Sequence, residues 1–177
     1  MTMRAMSATS ARPRRPIRPS LLLAAALLAF LGLAAGPVAH PAPAAASTAS
    51  SMEELIVKWV NSARASRGIP ALRVGSLLAE VAGDRAATMA RTAKLVHPSC
   101  LSCLLRSYGV SFSTCAEDIA STSYPWGYDA ARSIYLAWKG SPSHWSILMS
   151  RSFKRIGIGV AYRSSDHSTW GAADLAG

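Results

Sequence analysis

Acid is what this sequence has least of. Nine Asp and Glu stand against nineteen Lys and Arg in 177 residues, a formal charge of +10. Residues 1–20 contain no acid but carry Arg4, Arg12, Arg14, Arg15 and Arg18. Further along, the basic residues are scattered, with no Lys/Arg stripe interleaved with aromatics, which excludes a nucleic-acid surface. Leu21 to Ala35, a run of Leu, Ala, Phe and Gly, stops short of the ~20 residues that span a bilayer. Internal repeats are absent, which excludes a solenoid. No Gly-x-Ser-x-Gly marks a serine-hydrolase elbow. Cysteine is limited to three, so any disulfide leaves one behind.

What is present at the N-terminus has an order: a basic region, an apolar region, then Ala44-Ala45-Ala46 as a small-residue cleavage site. That is the pattern of a signal peptide over residues 1–46. Arg14-Arg15 hints at twin-arginine rather than general export, and the alternative is an uncleaved anchor. Cleavage removes five of the basic residues and leaves a domain of net charge +5, with a solvated, slightly basic surface that attracts anionic wall polymers or lipid headgroups only mildly. The protein is expected to be secreted, with no stable membrane span after cleavage and as a monomer. A dimer bridged by the spare cysteine is the alternative.

Residues 47–50 fall in a Pro/Ala/Ser/Thr stretch that reads as a disordered linker, and 51–177 as one domain. Ser51-Met52-Glu53-Glu54 forms a capping box for a helix with Ile56, Trp59, Val60 and Ala63 on one face. Gly68 and Pro70 end it. Ser76 caps a second helix, to about Leu95, burying Leu78, Val81, Ala82, Met89 and Ala93, with Asp84 and Arg85 off that face. Gly83 in its interior marks a close contact, and Pro98 leaves His97 at the helix exit. A third helix spans Leu101–Tyr108, and Val110–Thr114 is extended. Ser121–Gly127 is a loop, Asp129 caps a fourth helix to about Lys139 with Ile134, Ala137 and Trp138 inward, and His144 opens a fifth. Ile156–Tyr162 and Thr169–Leu175 are strands. Helices first and strands late make a mixed α+β domain.

Two late segments organise the chain. In Ser141-Pro142-Ser143-His144, the Ser-Pro pair favours an extended entry to the histidine. In Ile156-Gly157-Ile158-Gly159-Val160, the glycines mark a strand whose backbone is approached closely. Ser143 and His144 are adjacent, so a Ser-His-acid set with Glu117 would need them to face one another, which neighbours need not do. His97, Cys100, Cys103 and Cys115 can be written as a Cys3His zinc site. Export to an oxidising compartment favours a disulfide instead: Cys115 with Cys103, or with Cys100, closing a loop of ~12 to 15 residues worth ~3 kcal/mol. Pairing of Cys100 with Cys103 constrains little. Trp59, Trp126, Trp138, Trp145 and Trp170 are expected in the core and groove wall, with Tyr124, Trp126 and Tyr128 the best exposed aromatic patch.

Ser-Pro-x-His followed by Ile-Gly-x-Gly-Val, the Val60-Asn61-x-x-Arg64 helix, the Gly68-x-x-x-Leu72 turn and Glu117-Asp118-Ile119-Ala120 resemble, in order and spacing, the CAP superfamily of secreted SCP-like proteins in its bacterial form. The resemblance covers residues 51–170. It implies a three-layer α-β-α sandwich around a small, mainly antiparallel sheet. It also implies a cleft of two histidines and two glutamates, onto which His97, Glu117 and His144 map. The second glutamate is missing after Trp138, where Lys139, Gly140 and Ser141 stand. Asp118 replaces the signature Asn, and beside Glu117 on one strand it points away. Two imidazoles and a carboxylate can hold a divalent cation such as zinc through His97 and His144, or move a proton. Glu117 and His144 are therefore expected to be neighbours across a groove.

Two functions follow from this resemblance. One is a non-catalytic module of the cell envelope or extracellular space, binding a lipid, glycan or peptide in a His/Glu-lined groove. The alternative is a metal-dependent hydrolase or protease acting on envelope material through His97, Glu117 and His144.

Overall fold

The structure, a computed structural model, describes residues 44–177, with side chains from Ser50 onward. Apart from its last three residues, the expected signal peptide lies outside the described residues. In chain order come α1 (Ala44–Ala65), β1 (Arg73–Val74), α2 (Ser76–Thr92), α3 (Leu101–Ser107), β2 (Cys115–Thr122), α4 (Tyr128–Gly140), α5 (Pro142–Leu148), β3 (Arg155–Arg163) and β4 (Ser168–Ala176).

The strands form one sheet in the order β1-β3-β4-β2. β4 runs antiparallel to both β2 and β3, and only the two-residue β1 is parallel to its neighbour. Side chains alternate along a strand, and the alternation here separates two cores. Ala120, Ile156, Ile158, Val160, Ala173 and Leu175 face α1, α4 and α5. Ile119, Trp170, Ala172 and Ala176 face α2 and α3. The α-β-α sandwich expected from the sequence is the fold observed.

Gly157 and Gly159 lie on the α2 face. A Cβ on Gly157 would stand 2.0 Å from the carbonyl carbon of Leu78, and one on Gly159 2.2 Å from that of Ala82. The helix backbone therefore rests on bare strand backbone. Gly83 takes part through its backbone, its N lying 2.2 Å from where a Cβ on Gly159 would stand, whereas a Cβ on Gly83 itself would meet nothing within 4 Å. The close contact expected at the helix glycine is there, and the residues that must lack a side chain for it are the strand glycines.

The Asn-x-x-Arg pattern of α1 builds the other end of the sheet. Asn61 exchanges two hydrogen bonds with the backbone of Leu72, Nδ2 donating to the carbonyl at 3.0 Å and Oδ1 accepting from the amide at 2.8 Å. Arg64, 1 % exposed, donates to the carbonyls of Pro70 (2.8 Å), Leu148 (2.7 Å), Ser150 (2.9 Å) and Phe153 (3.4 Å). One buried guanidinium thus ties the chain after α1 to the α5–β3 link. Charge-assisted bonds to backbone oxygens are what allow it to be buried.

Several boundaries differ from expectation. α1 begins at Ala44, so residues 47–50 are helical rather than a disordered linker. Alanine, the best helix former, recurs through this stretch. α2 ends at Thr92, where Ala93 turns left-handed at φ 51° and is exposed; His97 lies in an extended segment and not at a helix exit. α5 begins at Pro142 rather than His144, because proline's fixed φ suits the first helical position. The Glu-Asp-Ile-Ala motif does not stop at a loop: β2 continues through Ser121 and Thr122.

Candidate functional site

β2 carries the centre of the site. Glu117 shares the parity of Ile119 and turns to the α2 face, with its side chain 1 % exposed. Its Oε1 accepts from Arg85 Nε at 2.6 Å. Its Oε2 lies 2.7 Å from His97 Nδ1. A carboxylate only accepts, so Nδ1 is the protonated nitrogen of that pair. Arg85 also donates to the carbonyl of Val96, which ties the segment carrying His97 to α2. His97 is half exposed; its ring is oriented from beneath by Glu117, with Nε2 left for solvent or a ligand.

Two further carboxyls flank this centre. Asp174 is the register partner of Glu117 on β4 and points to the same face; Asp118 points to the opposite one. Both are fully buried, and among the described residues neither has a hydrogen-bond partner. Burial, reinforced by the nearby charge of Glu117, pushes Asp118 up to about 8. The same two causes push Asp174 up to about 8, against a smaller opposing pull from Arg85. Burial thus favours the neutral form of Asp118 and Asp174, while the carboxylate paired with a cation is Glu117, against Arg85.

His144 is elsewhere. It sits on α5, whose Trp145, Ile147 and Leu148 join the core on the sheet face away from Glu117. Among the described residues no hydrogen bond or ion pair joins it to Glu117, whose side-chain partners are Arg85 and His97. Strand parity sends Asp118 away from Glu117, as expected. Ser143 Oγ pairs with Ser141 Oγ at 3.0 Å, not with an imidazole.

The residues do not fit a metal. Both oxygens of Glu117 are engaged, one by a permanent cation, and among the described residues no group of three His, Cys, Asp or Glu is gathered to hold an ion. The Cys3His alternative is closed as well, because Cys100 and Cys103 are joined in a disulfide. That bridge corrects the expected Cys103–Cys115 pairing. Leu105 is the buried residue of α3, and Cys103 is turned out to solvent. Cys115 opens β2 and packs on the α2-face core as a free thiol, pushed up by burial and by the charge of Asp174.

The aromatic residues divide between core and surface. Trp138 and Trp170 are buried, and Tyr124 and Tyr128 are more than half exposed. Trp126 is half-buried against Tyr162, with ring centroids 6.0 Å apart. Reading the sequence alone singles out neither Arg85 nor Asp174 as a site residue. The signal available for Arg85 is electrostatic: a glutamate on the inner face of a strand needs a cation, and Arg85 is set among the apolar positions of α2.

Comparison with known proteins agrees with the fold. The family model described as CAP: Cysteine-rich secretory protein family matches residues 57–172. Among solved structures, the chain is similar to an extracellular protein containing a SCP domain from Bacillus anthracis, at 19% identity and TM-score 0.62, covering 72% of this chain and 41% of that one. An outer surface protein from Borrelia burgdorferi matches at 19% identity and TM-score 0.60, covering 71% of this chain and 92% of that one. A cysteine-rich secretory protein from Staphylococcus aureus matches at 17% identity and TM-score 0.57, covering 72% and 39%. The chain thus spans less than half the length of the Bacillus and Staphylococcus proteins, and at these identities the likeness is one of fold. Among curated proteins no sequence matched.

Proposed function

The chain belongs to the CAP, or cysteine-rich secretory protein, family, and from that premise we propose that it is an extracellular binding module that holds a lipid, glycan or peptide at the cell envelope without turning it over. One observation carries the proposal: both carboxylate oxygens of Glu117 are engaged, by Arg85 and by His97. A hydrolase built on this site would need that carboxylate free for a metal or a water. With it neutralised, the half-exposed His97 offers Nε2 as a single recognition group above a buried, charge-balanced base. Export is supported by the basic-apolar-small order of residues 1–46. It is also supported by the descriptions of similar structures as an extracellular protein and an outer surface protein.

The test is made on protein recovered from an expressing culture, compared with its His97→Ala variant. Metal content is measured together with cleavage of peptides and peptidoglycan, and with binding to envelope lipid, glycan and peptide fractions. The expectation is substoichiometric zinc, no turnover, and saturable binding to one fraction that weakens in the variant. Stoichiometric zinc, or turnover that His97→Ala abolishes, would replace this reading with the hydrolase. No binding to any of the three fractions would remove the binding role.

A further inference from the structure

A cluster of four cations lies away from Glu117. Where the chain after α1 meets β1 and the α5–β3 link there is a cavity of about 470 Å³, lined by Arg64, Arg73, Arg151 and Lys154, with Pro70 and Phe153 among its apolar walls. No acidic residue lines it. We propose that this cavity is a binding site for a phosphate-ester anion.

The four cations have different parts. Arg64 is buried and held by four carbonyl oxygens, so its charge is a fixed floor. Arg151 is tied by Nη2 to the carbonyl of Gly68 at 2.7 Å, in a turn that only a left-handed residue makes, Gly68 standing at φ 61°. Arg73 and Lys154 are exposed, and among the described residues neither side chain has a hydrogen bond or ion pair. They are adjacent across the β1–β3 edge, the Arg73 amide donating to the Lys154 carbonyl at 3.0 Å. Two cations are thus fixed and two are left to close on a ligand.

Proteins rarely gather four like charges at one cavity without a counter-charge, because the repulsion is uncompensated. That repulsion is felt here: burial, and then the like charge of Arg151, lower the proton affinity of Arg64. A single carboxylate would leave most of the charge unmatched. A phosphate monoester carries roughly −1.5 to −2 and three acceptor oxygens, and planar guanidinium groups pair with it through parallel hydrogen bonds. The cavity lies within the ~300–1,000 Å³ range of small-ligand sites, and Pro70, Ala71 and Phe153 give the carbon body of the ester a surface. It shares no residue with the Glu117 site, so it stands or falls separately from the function proposed above. The same chemistry reaches a secreted protein as a soluble phosphate ester or as a lipid headgroup.

The two sources are separated by titrating the protein with glycerol 3-phosphate, and with vesicles containing phosphatidic acid, the lipid monoester, against phosphatidylcholine alone, at low ionic strength. Arg73→Gln with Lys154→Gln removes the two free cations without touching the bonds that hold the fold. Lys58→Gln with Lys94→Gln removes the same charge from elsewhere on the surface. Affinity is expected to fall about tenfold or more in the first pair and by about twofold at most in the second. Binding of glycerol 3-phosphate alone assigns a soluble ester, and binding of phosphatidic acid vesicles a headgroup. An equal loss in both pairs would mean attraction by net charge only and would overturn the site. So would failure of the parent protein to bind either probe.

Discussion

On the α2 face of the sheet, Gly157 and Gly159 set strand backbone against helix backbone; on the opposite face a Cβ on Gly171 would meet only the side chain of Ile134, at 3.0 Å. The first contact has no slack, whereas the second can be relieved by a rotamer change. The buried carboxyls do not divide the same way. On the α2 face Glu117 has both oxygens engaged, but Asp174 beside it on that face is as unpartnered as Asp118, which faces the other way. A backbone fixed to a backbone holds Arg85 on α2 at one distance from β2, and Glu117 is the carboxyl it reaches. Asp118 and Asp174 are raised by burial instead.

The largest effect expected from this contrast is at the glycines. Gly159→Ala must displace α2 and should destabilise by about 3 kcal/mol or more, against about 1 kcal/mol for Gly171→Ala, which only crowds a side chain. Chemical denaturation of the two variants reads the difference directly, and equal losses would mean that the helix has room to move.

Next in size is the ion pair. Arg85→Ala leaves Glu117 buried with only His97 beside it and should cost about 3 kcal/mol. His97→Ala removes a half-exposed partner and should cost about 1 kcal/mol. A ranking with His97 above Arg85 in thermal or denaturant melts would show that the imidazole, not the guanidinium, neutralises the carboxylate.

A smaller, pH-dependent effect belongs to Asp118 and Asp174. Their folded pKa of about 8 lies above the ordinary value of 3.8, so between those values the native state binds more protons than the unfolded chain. Stability therefore falls as pH rises from about 4 to about 8 and levels off above. Asp118→Asn keeps the shape and removes the ionisation. It should flatten part of that fall and stabilise the protein by about 1–2 kcal/mol above pH 8. Denaturation series at several pH values check this; a parent protein whose stability rises over the same interval contradicts it.

Much of the fold was legible because its determinants are local. The apolar spacing in α2 and α4, Gly68 with Pro70, and the Gly-x-Gly strand each carry their physical reason within a few residues. The site was less legible because its determinants are not. Which groups Glu117 meets depends on which face of β2 it takes, and that is fixed by pairing with β4, which is more than fifty positions away. Arg85 was hidden for the same reason: a charged residue on a helix reads as solvated until the strand beneath it is known to bury a carboxylate. The cysteine pairing was misread because loop entropy favours the longer closure, whereas the orientation of α3 turns Cys103 outward.

Glu117 is bonded to His97 and, among the described residues, has no hydrogen bond or ion pair to His144, and the reading of the site turns on that difference. Double-mutant cycles measure it without reference to absolute stability. Glu117→Gln combined with His97→Ala should show a coupling of about 1–2 kcal/mol, and Glu117→Gln combined with His144→Ala should be additive within about 0.5 kcal/mol. A coupling to His144 as large as that to His97 would contradict the account, because it would place both imidazoles on one carboxylate and restore the open cluster that the family pattern implies.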